Sequence, residues 1–265
     1  MKTHLVLSGG GIYGVYMLGC LLEVTKVHEF THISGTSVGA IIGTLMCFME
    51  ISDIVQLVRK NKLFNDNDVD ISNICVEYGM IRPNSLLQLL QSMIDKYIGQ
   101  SATFSDFKQK TGKHLYITGT NVTMQRSEVF DFVSTPNMVV LKAIEISISI
   151  PCVFTRVVYN NYTYVDGGVS NMYPSNVFNT VNKDKILSIE IIGSNQPREI
   201  NDFVSYLTSI IFISLKYQKV PDRVIDCISF PCELEVSLIH YNSEDIDRML
   251  QEGVVRALNF LKKTE

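Results

Sequence analysis

Five consecutive residues, Gly35-Thr36-Ser37-Val38-Gly39, have the G-x-S-x-G form in which a strand turns so sharply into a helix that the central hydroxyl stands clear of the sheet edge. Gly35 and Gly39 suit that turn because a side chain at either position would collide with neighbouring backbone. A serine hydroxyl at its ordinary pKa is a poor nucleophile, so Ser37 needs a base. Chain order permits a triad of Ser37, Asp166 and His240. Only one short strand precedes this elbow, however, and His240 sits in an alternating apolar stretch that reads as ordinary sheet. The other arrangement is a dyad in which Asp166 takes the Ser37 proton directly. Asp166 ends a short strand and is followed by Gly167 and Gly168, which suits a carboxylate at a strand's C-terminal edge with backbone passing close by. An Asp-Gly turn without chemistry has the same sequence.

Charge developing on an attacked carbonyl must be met by donors. Gly9-Gly10-Gly11, between a first strand and a helix, offers backbone N–H groups unshielded by side chains at a helix N-terminus. Gly9, Gly11 and Gly14 also fit the dinucleotide pattern G-x-G-x-x-G, which calls for an acidic residue at the end of the next strand. That strand ends in Ser34-Gly35-Thr36-Ser37, and Glu29 precedes it, so a nucleotide-binding βα protein is the lesser alternative.

These groups need elements to hold them. An apolar strand at 4–7 runs into the glycine loop and a helix, and a second strand at 31–34 runs into the elbow and a helix over 40–49. Two such units in succession predict a parallel sheet with helices on its faces. Residues 51–111 read as mostly helical, with Leu86, Leu87, Leu89, Leu90, Met93 and Ile94 in one apolar stripe and 65–68 an exposed loop. Strand patterns follow at 114–118, 127–132, 162–165 and 185–192, then at 224–230 and 234–241, before a capped amphipathic helix over 243–262. The stretch 203–215 has no charged side chain but is too short to span a bilayer, which takes ~20 apolar residues. It reads as a helix buried against the sheet, with an interfacial position as the alternative.

Composition narrows the classes. The 265 residues are 46% hydrophobic and 19% charged, enough for one compact domain over 1–265. With 23 Lys+Arg against 27 Asp+Glu and no basic run longer than Arg59-Lys60 or Lys262-Lys263, neither nucleic-acid binding nor polybasic membrane docking is expected. Six cysteines without a CxxC and five histidines without ligand spacing argue against a structural metal. No signal peptide is read at the start, so the expected location is cytoplasmic.

Together the motifs resemble the patatin-like phospholipases, lipid acyl hydrolases with a Ser-Asp dyad. That family's G-G-G-x-[KR]-G is seen as Gly9 to Gly14, its G-x-S-x-G as Gly35 to Gly39, and its D-G-[GA] as Asp166-Gly167-Gly168. Ser147-Ile148-Ser149-Ile150-Pro151-Cys152-Val153-Phe154 is similar to its S-x-x-x-P-x-x-F segment, and 119–130 to the strand-turn-strand before it. The resemblance covers 3 to about 192; residues 193–265 carry no motif and are expected to pack on the same domain. It implies a three-layer α/β/α fold with a mostly parallel central sheet, Ser37 as nucleophile, Asp166 as proton acceptor and Gly9, Gly10 and Gly11 as oxyanion hole. The implied reaction is hydrolysis of phospholipids or other acyl lipids through an acyl-serine, with no metal or cofactor and with peripheral membrane contact. Apolar surface near the cleft is then expected, with 203–215 or the Phe104 region as candidates. One departure stands out: Tyr13 replaces the family's Lys or Arg, and a phenol is no permanent cation. Arg82, Arg126 and Arg156 are candidates to replace it, and a catalytically weak lipid-binding protein is the alternative that Tyr13 raises.

Overall fold

The computed structural model describes residues 1–61, 68, 70–193, 200, 206–207, 209–210, 213, 225–231 and 241–264. Ten strands are described: β1 His4–Leu7, β2 His32–Gly35, β3 Gly79–Ile81, β4 His114–Asn121, β5 Arg126–Asp131, β6 Cys152–Phe154, β7 Val157–Tyr159, β8 Tyr162–Asp166, β9 Ile186–Ile192 and β10 Asp226–Pro231. The helices are α1 Gly14–Val24, α2 Val38–Leu45, α3 Ile51–Lys60, α4 Asn84–Tyr97, α5 Phe104–Thr111, α6 Val140–Ser147, the single turn α7 Gly168–Asn171, and α8 Ser243–Thr264. The main sheet runs β10-β9-β1-β2-β4-β8-β7, with β5 also on β4; β10 to β4 are parallel, and β5, β8 and β7 antiparallel. β3 and β6 form a small parallel pair of their own.

Alternation sorts the two faces. Leu5 and Leu7 point into the large core with α1, α2 and α6, while Val6 between them packs with Phe178 and Ile186 on the other side. That second face carries α7 and the short 3-10 turns after it, which completes an α/β/α arrangement. α8 lies on α1 at backbone contact: a Cβ on Gly19 would fall 2.1 Å from the Leu250 carbonyl oxygen, so only glycine permits this approach.

The edge of β4 is divided. β2 pairs with its first half, Gly35 opposite Ile117, and β8 with its second, Gly119 opposite Asp166. Since β5 pairs with β4 across both stretches, β2 and β8 must share the other edge, one after the other.

Several expectations change. Asp68 is buried rather than in an exposed loop, accepting the Arg82 N–H on its carbonyl, while 65–67 lie outside the described residues. Of 203–215, the residues described are helical, with Leu207 packed inward but Tyr206, Ile210 and Ile213 exposed, so the buried-helix reading fails for these three. The 234–241 strand and His240 fall outside the described residues, apart from Tyr241. Phe104 is buried at the start of α5 and offers no surface. His4, His32 and His114 occupy one register row on β1, β2 and β4, and their rings stack at 4.4 Å between edge-on Phe178 and Phe132. Among the described residues no helix is long and apolar enough to cross a membrane.

Candidate active site

The turn after β2 is strained at its centre. Ser37 sits at φ 54°, ψ −121°, a region that costs a non-glycine residue of order 1–3 kcal/mol and persists only where surroundings enforce it. The enforcement is explicit. The Ser37 N–H donates to Ser147 Oγ at 2.9 Å, and the Ser37 carbonyl accepts the Ala40 N–H of α2. Thr36 Oγ1 donates to the Asn171 carbonyl at 2.8 Å, which leaves the Thr118 hydroxyl to donate to Thr36 Oγ1 at 2.6 Å. Gly35 and Gly39 are needed for contact: a Cβ on Gly35 would meet the Gly39 carbonyl at 2.4 Å, and one on Gly39 the Leu7 carbonyl oxygen at 2.5 Å.

The divided edge of β4 brings Asp166 here. Gly35 faces Ile117 and Asp166 faces Gly119, so elbow and carboxylate follow one another along the same strand. Antiparallel partners share a face, and a Cβ on Gly119 would touch Ile146, so Asp166 lies on the α6 side, where Ser147 is. Asp166 is only 5% exposed. Its Oδ1 accepts the Gly168 N–H at 2.6 Å; Oδ2 is buried without a hydrogen bond of standard geometry. Burial pushes its pKa up to about 7, and the Gly168 amide and the nearby Ser37 hydroxyl offset part of that rise. The end of α6 clamps both residues: the Asp166 N–H donates to the Ser149 carbonyl at 2.7 Å and the Gly167 N–H to that of Ser147. Ser147 and Ser149 were visible in the sequence only as part of a motif; their contacts across the fold were not.

The glycine loop lies beside Ser37, since a Cβ on Gly9 would be 3.4 Å from that of Ser37. Its three amides are not equivalent. The Gly9 N–H is already donated to the Met172 carbonyl at 3.0 Å. No hydrogen bond engages the Gly10 and Gly11 N–H groups among the described residues, and Gly11 adopts φ 56°. The Val38 N–H, first of α2 and the amide after the elbow serine, is equally free of an acceptor among them; the sequence motif did not single it out. Gly14 brings α1 against the elbow, where a Cβ would strike Val38.

Tyr13 is a core residue. Its ring stacks on Tyr16, which stacks on Phe230, over whose face the Arg256 guanidinium sits at 5.3 Å. A cation at position 13 would be buried among these rings. Of the arginines considered as its replacement, Arg82 pairs with Glu77 and Arg126 with Glu128, while Arg156 lies on the Tyr78 ring at 4.5 Å.

Residues 5–178 match the family described as patatin-like phospholipase. The chain is 28% identical to the uncharacterized protein R571 of Acanthamoeba polyphaga mimivirus, over 97% of this chain and 95% of that one. It is 30% identical to the probable lipid hydrolase 463L of Invertebrate iridescent virus 6, over 76% of this chain and 74% of that one. Among solved structures, VipD from Legionella pneumophila superposes with a TM-score of 0.67 at 17% identity, covering 99% of this chain and 67% of that one.

Proposed function

The chain belongs to the patatin-like phospholipase family, and from that membership and the setting of Ser37 and Asp166 we propose that it is a serine lipid acyl hydrolase cleaving acyl esters of phospholipids or related lipids. The observation that carries this reading is the buried Asp166, its pKa raised to about 7 and its carboxyl within reach of the hydroxyl of Ser37, a serine held in a strained elbow. A carboxylate so placed is a base matched to neutral pH.

In the proposed cycle Asp166 Oδ2 accepts the proton as Ser37 Oγ attacks the acyl carbonyl. The Gly10, Gly11 and Val38 amides face the charge that forms on the carbonyl oxygen, a role for which fixed backbone donors need no reorganisation. When the ester C–O bond breaks, the proton on Asp166 passes to the departing alcohol, leaving an acyl-serine. Water then attacks this ester, its proton going to Asp166, and the acid departs as Ser37 recovers its hydrogen. The Ser149 carbonyl, accepting the Asp166 backbone N–H, and the Gly168 N–H, donating to Oδ1, hold Asp166 in place for both halves. The alternative of a lipid binder without turnover rests on Tyr13, whose side chain is spent in core packing.

The test is hydrolysis of p-nitrophenyl butyrate and of phosphatidylcholine vesicles by wild type, Ser37→Ala and Asp166→Asn, with fluorophosphonate labelling alongside. Turnover and labelling by wild type, both lost in Ser37→Ala and turnover lost in Asp166→Asn, are expected. A folded wild type that neither turns over nor labels would overturn the proposal.

A further inference from the structure

The antiparallel extension of the sheet carries an exposed apolar surface on the catalytic edge. Ser37 follows the C-terminal end of β2, and β4 and β8 continue past it on that side: at ~3.3 Å per residue, Val122 stands about 10 Å beyond Gly119 and Tyr162 about 13 Å beyond Asp166. The β7–β8 hairpin turns through Asn160 and Asn161, both at positive φ, and the Val122 N–H donates to the Thr163 carbonyl, so the two hairpin tips are joined. Val122, Thr163 and Val158 therefore form one row across β4, β8 and β7, and two residues inward on the same face Arg156 continues the row of Thr120 and Val165. Val122 and Met124 are each 46% exposed, Val158 55% and Tyr162 39%. Hairpin tips are ordinarily polar; here Val122 and Val158 on one face, Tyr162 on the other and Met124 in the β4–β5 turn make the ends of both joined tips apolar rather than leaving scattered exposure.

Arg156 supplies the charge. Its guanidinium lies on the Tyr78 ring and reaches Thr163 Oγ1 at 3.4 Å, but its Nε is buried without an acceptor and no carboxylate among the described residues pairs with it. Glu77, whose carbonyl accepts the Arg156 backbone N–H, gives its carboxylate to Arg82. An unpaired guanidinium set behind apolar tips is complementary to a surface that offers phosphate oxygens above hydrocarbon. We propose that the joined β4–β5 and β7–β8 hairpins are the face that docks on a phospholipid bilayer, with Val122, Met124, Val158 and Tyr162 entering the interface and Arg156 meeting lipid phosphate. The inference rests on the lipid-hydrolase reading and gives that site its orientation: the tips rest in the interface, with the elbow roughly 10 Å behind them.

The test compares wild type, Val122→Asp/Val158→Asp, Met124→Asp and Arg156→Gln, each checked by circular dichroism and thermal melting. Binding is read by co-sedimentation with phosphatidylcholine vesicles, independently of turnover, and catalysis by p-nitrophenyl butyrate in solution. The double variant should lose vesicle binding by at least roughly tenfold, with smaller losses for Met124→Asp and Arg156→Gln, while soluble-ester turnover stays within about twofold of wild type. Vesicle binding unchanged in the double variant and in Met124→Asp would overturn the docking face. So would a changed oligomeric state in those variants with vesicle binding intact, which would mark a protein contact instead. A wild type that binds vesicles through this face but hydrolyses neither substrate would sink the hydrolase reading and leave the docking face standing.

Discussion

Asp166→Asn should make the protein more stable while destroying its activity, and by an amount that depends on pH. Burial lifts the Asp166 carboxyl from 3.8 to about 7. Three pH units correspond to about 4 kcal/mol of extra cost for the charged form. Between pH 3.8 and 7 the folded chain keeps a proton that the unfolded chain releases, so stability falls as pH rises through that window, and the full cost is present above it. Asparagine has the same shape, carries no charge to desolvate, and retains an oxygen for the Gly168 N–H. At pH 8 the variant should therefore gain about 2–4 kcal/mol, read as a Tm higher by roughly 2–4 °C per kcal/mol in a chain of this size. At pH 4, where wild-type Asp166 is itself neutral, the gain should shrink towards nothing. Melts of both proteins across this range decide the matter: a gain independent of pH, or none at pH 8, refutes the buried-charge argument. Wild-type turnover should rise with pH through about 7 as the same group ionises.

Ser147→Ala leaves the Ser37 N–H without its acceptor and the strained elbow without a tie, so kcat should fall on the order of tenfold with KM little changed, a loss near the ~1–3 kcal/mol of an unsatisfied buried donor; steady-state kinetics on the soluble ester will show whether kcat or KM carries it. Restoring a cation by Tyr13→Lys should lower activity and stability, because the ammonium would be buried against Tyr16 and Phe230, and a Tm drop of several degrees measures the cost. His32→Phe tests the histidine stack. Burial, then the neighbouring His4 and His114, lower the His32 pKa to about 4, so its contribution is intact above 6.5 and is lost as pH falls towards 4. Discounted for solvent screening at this half-exposed site, that is about 1–2 kcal/mol, and the variant should show a flatter acid limb in urea melts between pH 7 and 4.5.

What could be read from sequence was local. The elbow, the glycine loop and the Asp-Gly-Gly end of a strand each announce themselves within six residues, because the backbone geometry they need restricts residue type at adjacent positions. The parallel strands at 4–7 and 185–192 were legible from their apolar runs, and that at 31–34 from its place before the elbow. Register was not. That β8 lands on β4 directly after β2, placing Asp166 beside the elbow, is fixed by pairing between segments far apart in the chain. The stacked histidines are likewise one row of that register and have no spacing in sequence to betray them. Competition for the Gly9 amide, decided by the Met172 carbonyl, is invisible to any motif. Asn160-Asn161 was an available hairpin signal that went unread, since both residues tolerate positive φ. Tyr206, Ile210 and Ile213 show that an uncharged stretch does not declare which of its faces is covered.

The shared edge of β4 also bears on how such a chain can change over time. Ser37 and Asp166 are separated by most of the motif-bearing sequence, yet their spacing is set by the two steps of β4 from Ile117 to Gly119. Insertions anywhere in the connecting loops leave that ruler untouched, so segments can be gained or shed between Ser37 and Asp166 without moving one relative to the other. Loss or gain of one residue inside β4 at Thr118 would turn the carboxylate to the opposite face of the sheet. The connecting loops are thus open to elaboration, while the interior of β4 and the end of α6 that ties Ser37 to Asp166 are closed to any change of length.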